Sequence, residues 1–278
     1  MLLSTLIKTR LRANRFGMIL SCAIMLGASI LCALLHPLIF NEQAWDTLGL
    51  FNGIFVSIYM TCAFATFASI VAGAFLIFYS MFSIYGSQSS YLYFTLPLSR
   101  KNIFHASMIT YAIESLILSV ITIASLVIFI VPYIIMVANN MDPGFGPSIP
   151  TDDMLNYGTT NAFTAILSIL EAITTFVLGI ITSAAACIFG CSLAKKHKFI
   201  GTVVASLVIS SVQGLVSSIV SAVPIGIIAA LSSTMNSKDA ESLAETVPLV
   251  CTLITSVILI LLIYKFSLNQ VEKKFDIE

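Results

Sequence analysis

The sequence predicts an all-α polytopic membrane protein with six transmembrane helices and both termini in the cytoplasm. Three observations carry this. Of the 278 residues, 58 % are hydrophobic and only 9 % charged, with a mean hydropathy of +1.02. Soluble domains carry about 25 % charged and about 45–50 % apolar residues, so a soluble fold could not solvate its surface. Disorder is excluded by the same composition. The second observation is six apolar stretches of the length a bilayer demands, about 20 residues for a ~30 Å core. The third is the strict alternation of Lys and Arg between successive loops.

Residues 1–15 come first. At 100° per residue, Leu2, Leu3, Leu6, Ile7 and Leu11 share one face, and Lys8, Arg12 and Arg15 the other. Arg10 intrudes on the apolar face. The segment reads as an amphipathic helix lying on the inner leaflet, or as a basic flank that happens to be helical. It is no cleaved signal peptide, because the apolar stretch behind it is too long.

The six spans are expected at about 16–40, 48–82, 104–138, 162–194, 199–232 and 248–264. Lys8, Arg10, Arg12, Arg15, Arg100, Lys101, Lys195, Lys196, Lys198, Lys265, Lys273 and Lys274 all fall on one side, twelve of the 13 basic residues. The other side has Lys238 and the acidic residues Glu42, Asp46, Asp142, Asp152, Asp153, Asp239, Glu241 and Glu245. The basic side is assigned to the cytoplasm.

The fifth stretch is too long for one straight crossing, since it would measure about 50 Å at 1.5 Å per residue. Pro224 and Gly226 interrupt it. Proline removes a backbone donor and kinks or ends helices. The span is therefore expected to stop near Val223, with Ile225–Ser233 forming a short re-entrant or interfacial piece before the last span. A kinked long helix is the other reading.

Residues that could carry chemistry are few. No Gly-x-x-x-x-Gly-Lys-Ser/Thr phosphate loop, His-Glu-x-x-His zinc motif or Gly-x-Ser-x-Gly elbow occurs. No catalytic, cofactor or metal site is therefore assigned, and no basic domain suggests a nucleic-acid partner. His36, His105 and His197 are far apart. Cys22, Cys32, Cys62, Cys187, Cys191 and Cys251 all lie in apolar segments and read as small hydrophobes.

Two carboxylates, Glu114 and Glu171, lie within apolar spans, where an ionised group costs about 2.5–3.5 kcal/mol on insertion scales. Enough apolar chain follows each for the span to be completed without it. Both a structural role and a place on a transport path stay open. Ser168, Thr174 and Thr175 stand at helical spacing from Glu171 and could satisfy it within its own helix. In the fifth span Ser206, Ser210, Gly214, Ser218 and Ala222 recur every four residues, beside a row of Gln213, Ser217 and Ser221. Such stripes let helices approach closely, or they line a polar path. Gly179, Ser183, Cys187 and Cys191 repeat the pattern in the fourth span.

The most specific segment is the loop 85–103, reading YGSQSSYLYFTLPLSRKNI. Pro97 stops a helix, Ser99 can cap the next, and Arg100 and Lys101 lie at the membrane surface. Tyr91, Leu92, Tyr93 and Phe94 form an aromatic and aliphatic run suited to docking a soluble partner. Thr95-Leu96-Pro97-Leu98-Ser99-Arg100-Lys101-Asn102-Ile103 resembles the Leu-Pro-Val-Ser-Arg-x-x-Ile signature of ABC-2 type transporter permeases. Ser107 and Asn102 depart from it, where family members often carry Lys and an acidic residue.

That resemblance implies six spans with both termini inside, an N-terminal interfacial helix, and a re-entrant piece before the last span. It also implies that the loop forms a coupling helix on a separate ATP-binding-cassette ATPase subunit, which would bind the ATP. A second permease subunit, identical or homologous, would complete the path, lined by the first, second and fifth spans. The expected function is export of a peptide, lipid or amphipathic drug from the cytoplasm or inner leaflet, in a bacterial plasma membrane. Two other classes stay open: a membrane scaffold or sensor using the same loop, and an ion-coupled carrier using Glu114 and Glu171.

Overall fold

Bilayer interiors offer backbone groups no water, so a spanning chain satisfies every N–H and C=O within itself. The computed structural model describes residues 2–40, 51–86, 99–138, 162–194, 196–231 and 237–274, and these form six helices with no strand among them. They are α1 (Leu2–Phe40), α2 (Asn52–Tyr85), α3 (Arg100–Ala138), α4 (Ala162–Leu193), α5 (Lys198–Leu231) and α6 (Ser237–Lys274). All six are long and apolar enough to cross a membrane. This architecture is that of a multi-pass membrane protein.

Helix boundaries depart from expectation where polar or proline residues suggested a break. Residues 2–15 and the first span form one continuous helix of 39 residues, α1. The stop expected near Val223 is corrected: α5 runs through Pro224 to Leu231, so residues 225–231 continue it rather than forming a separate piece. Pro37, Pro132 and Pro248 likewise lie inside α1, α3 and α6. Each proline forfeits one donor, but unwinding the chain beyond it would leave several backbone groups unsatisfied in an apolar medium, so the helix continues. The expected loop 85–103 is also trimmed, because Tyr85 closes α2 and Arg100 opens α3.

The chain divides into two compact units. The first comprises Thr5–Ser80 and Ile113–Thr151. Its centre holds Met25, Ser29, Cys32 and Ser125, each essentially inaccessible. Ser29 Oγ donates to the Met25 carbonyl at 2.9 Å, lies 3.5 Å from Thr66 Oγ1, and also hydrogen-bonds Ser125 Oγ. One hydroxyl from each of α1, α2 and α3 thus meets at a single level. A hydroxyl without a partner there would cost several kcal/mol, roughly 2–7 depending on the reference state, so the trio fixes the register of the three helices. At the Phe40 end, the buried His36 ring lies parallel to Tyr133 at 6.3 Å and edge-on to Phe40 at 4.5 Å.

The second unit comprises Met1–Ser4, Met81–Ala112 and Asp152–Glu278. Here α4, α5 and α6 each contact the other two. The run Ala184–Ile188 of α4 is wholly buried. Small side chains let the α4–α5 hairpin close tightly. A Cβ placed on Gly190 would lie 2.2 Å from the Thr202 Cα, and one on Gly201 would lie 2.6 Å from the Gly190 carbonyl oxygen. Phe82 packs edge-on to Phe199, and Phe189 stacks on Phe266.

Many hydroxyls in both units fold back onto their own helix. Ser57, Thr61, Ser69, Ser183, Ser218 and Thr255 each donate to the carbonyl four residues earlier, at 2.7–2.9 Å.

Candidate functional site

Three groups of polar side chains stand out from the apolar helices. The first lies in the first unit. Arg10 on α1 is 6 % exposed, and its Nη1 donates to the Ser80 carbonyl at 3.0 Å. Glu114 on α3 is 3 % exposed and accepts a 3.0 Å hydrogen bond from Asn14 Nδ2. The Arg10 guanidinium and the Ser80 hydroxyl also act on this carboxylate. Three helices therefore surround a buried guanidinium and a buried carboxyl group, each hydrogen-bonded to a different partner. Where two such groups act on each other as ions, removing one costs about 3–5 kcal/mol, because the other is left uncompensated. Arg10 and Asn14 are one helical turn apart, so both face Glu114 only because this part of α1 is helical and turned inward.

The second group is a clamp in the second unit. Ser99 caps α3: its hydroxyl and carbonyl oxygens accept from the Asn102 N–H at 3.3 and 2.9 Å. Arg100 Nη1 donates to the Glu272 carbonyl at 3.1 Å. Lys101 Nζ pairs with Glu272 Oε1 at 2.7 Å, with the two side chains 53 % and 40 % exposed. One turn on, His105 Nε2 and Tyr264 Oη are 2.8 Å apart, and the Phe104 ring faces Tyr264. The first turns of α3 are thus fastened to the last turns of α6. Tyr85 Oη and Ser107 Oγ, 2.9 Å apart, add the end of α2 to this assembly.

The third group follows α4. Thr252 Oγ1 of α6 donates to Glu171 Oε1 at 2.9 Å, and Thr182 Oγ1 donates to Gln213 Oε1 of α5 at 3.1 Å. Tyr111 Oη of α3 donates to Ser183 Oγ at 2.9 Å. The expectation that Glu171 is satisfied within its own helix is corrected for Ser168 and Thr174. Their hydroxyls bond backbone carbonyls, and the carboxylate is held by another helix.

The sequence-predicted residues distribute as follows. Glu114 belongs to the first unit, and Glu171, Gln213 and the α5 stripe to the second. Along α5, Ser206, Gln213 and Ser217 are half-buried, whereas Ser210, Gly214, Ser218 and Ala222 are exposed. A Cβ on Gly214 would meet nothing within 4 Å. No part of this chain covers that stripe among the described residues. Ser99, Arg100 and Lys101 meet α6, while Tyr91, Leu92, Tyr93, Phe94 and Pro97 lie outside the described residues. No cluster of three or more His, Cys, Asp or Glu side chains able to hold a metal occurs among the described residues.

Comparison with protein families, curated proteins and solved structures finds no match to this chain.

Glu272, Tyr264, Asn14 and Thr252 were not singled out from the sequence. Only two signals pointed toward them. Arg10 breaks an otherwise apolar helical face, and Glu272 is an acid among the basic residues of the C-terminal segment.

Proposed function

We propose that the chain is the membrane subunit of an ABC-2 type exporter. A separate ATP-binding-cassette ATPase drives it, and a second permease subunit, identical or homologous, completes the path. The observation that carries this reading is the sequence segment Thr95–Ile103, with its likeness to the permease signature, whose last four residues open α3. The termini and the 85–103 segment face the cytoplasm, with the chain set in a bacterial plasma membrane and its apolar faces against lipid. The ATPase docks on Tyr91–Phe94. The hydrogen-bonded junction of α3 with α6 supports the reading, because a push on this segment reaches α6 through Arg100, Lys101 and His105. The exposed stripe of α5 suits either the second subunit or the path. The cargo is a peptide, lipid or amphipathic drug drawn from the cytoplasm or inner leaflet.

Co-expression with ATPases encoded beside this chain tests the reading. Stable co-purification with one of them, and ATP hydrolysis that rises with cargo, is the expected result. A chain that purifies with none of them and leaves their turnover unchanged overturns it.

A further inference from the structure

The basic residues at the start of α1 divide by face. Arg10 turns inward, with Nη1 on the Ser80 carbonyl of α2. Lys8, Arg12 and Arg15 are exposed. At 100° per residue these three fall within about 60° of one another and make one ridge. Among the described residues, no acidic side chain pairs with any of the three. The ridge continues a face that looks away from the protein further along α1. Ile19 and Ile30 lie in the same angular sector and Phe16 beside it, and all three are exposed, Phe16 at 79 %. The opposite face holds Arg10, Ser21, Met25, Ala28 and Cys32, all buried. Residues 2–40 form one unbroken helix, so this phase carries from the apolar part into the basic part without a joint.

Depth follows from length. The exposed apolar side chains of α1 run from Phe16 to Leu38. That is about 33 Å at 1.5 Å per residue, which matches a hydrocarbon core of about 30 Å. The polar layer on each side adds about 5–8 Å. Along the axis Arg15 stands about 1.5 Å beyond Phe16, Arg12 about 6 Å and Lys8 about 12 Å. Two guanidinium groups therefore lie in the headgroup layer, with the Lys8 ammonium at its rim.

We infer that Lys8, Arg12 and Arg15 form a binding ridge for the headgroups of anionic phospholipids. A guanidinium takes two phosphate oxygens at once, and an ammonium adds a point charge. A phosphatidylcholine headgroup sets its own cation beside the same phosphate, and the ridge repels that cation. Charge therefore sorts the lipids, with each basic residue near the surface contributing about fivefold in favour of the anionic one. A soluble phosphate shares the headgroup chemistry but has no chains to lie along Phe16 and Ile19, so the occupant is a lipid. The contact asks nothing of an ATPase or a cargo, and its failure leaves the proposed function standing.

The test reconstitutes the purified full-length protein in phosphatidylcholine nanodiscs. These are doped with phosphatidylglycerol or phosphatidylcholine bearing a photoreactive headgroup, and cross-linked peptides are mapped by mass spectrometry. The phosphatidylglycerol probe should mark residues 8–16 about tenfold or more above the phosphatidylcholine probe. Unlabelled phosphatidylglycerol should displace it, and glycerol phosphate should not. Arg12→Gln alone should lower the excess about fivefold, and Lys8→Gln/Arg12→Gln/Arg15→Gln should abolish it. Lys8→Arg/Arg12→Lys/Arg15→Lys keeps every charge and should retain most of it. An unchanged elution volume checks that the variants fold. Equal marking of residues 8–16 by the two probes in the wild type overturns the proposal. So does an excess that survives the neutral variants, or one that glycerol phosphate displaces.

Discussion

At the scale of single residues, the buried Arg10–Glu114 group offers the sharpest contrast between variants. Arg10→Ala strands a carboxylate among three helices and should destabilise the protein by about 3–5 kcal/mol. Glu114→Gln keeps a polar group for Asn14, yet leaves the guanidinium without its counter-charge, so it should also be harmful. The double variant Arg10→Met/Glu114→Leu removes both charges and should recover most of the loss, since apolar replacement of a buried pair is often neutral. Thermal unfolding in detergent for the three variants measures this. Additive losses in the double variant would show that the two residues do not act on each other. This group was half visible in the sequence. Arg10 looked like a flaw in an amphipathic stripe, and Glu114 like an acid near headgroup depth. A flat membrane surface leaves Arg10 no partner on that face, whereas α1 presents it to α2 and α3, where the guanidinium finds the Ser80 carbonyl and Asn14 finds Glu114. Sequence distance hid the group, because 104 positions separate Arg10 from Glu114.

The residues flanking the docking segment separate anchoring from fastening. Tyr93→Ala and Phe94→Ala should each weaken ATPase association by about 2 kcal/mol or more, as buried aromatic anchors do, while the membrane helices still fold. Lys101→Ala removes an exposed ion pair worth roughly 0–1 kcal/mol, so complex yield should barely change. Pull-down yield and ATP turnover across these variants check the ranking. Wild-type behaviour of both aromatic variants would remove the docking role.

At the scale of elements, the α4–α5 hairpin depends on absent side chains. Gly190→Ala drives a methyl into the Thr202 and Gly201 backbone, which cannot yield as a side chain would. A loss of about 1–3 kcal/mol is expected, the usual cost of overpacking. Gly179→Ala on the same helix meets nothing within 4 Å and should be neutral or gain up to about 1 kcal/mol of helix propensity. Melting temperatures of the two variants, measured side by side, decide it. Helix number and most boundaries were legible in the sequence, because twenty-residue apolar runs have few rivals in meaning. The failure came at Pro224, where a rule drawn from aqueous helices predicts a stop. In water a broken helix finds solvent for its freed carbonyls. In an apolar medium it finds none, so α5 runs on.

At the scale of the whole molecule, the distribution of basic residues sets the expected orientation. In a cysteine-free background, a cysteine placed at Asp152 should label only from outside the cell, and one at Lys196 only from inside. Labelling of the first from inside alone would invert the topology. The purified chain should hydrolyse no ATP by itself, since it lacks a phosphate-cradling loop. Turnover that survives removal of contaminating ATPases would refute the permease assignment.

The serines and threonines whose hydroxyls bend back to their own helix carry a consequence for how this sequence can drift. With the proton already given to a carbonyl four residues earlier, such a residue shows its surroundings mainly carbon and a shielded oxygen. Ser57, Ser69 and Ser218 should therefore exchange with alanine almost silently in a saturation mutagenesis screen scored on folded yield. Ser29, Ser125 and Ser183 carry the same letter but also meet a hydroxyl of another helix, and they should be depleted on the same exchange. One amino-acid type would thus split into two populations of tolerance, sorted by whether the oxygen is shared with a second helix.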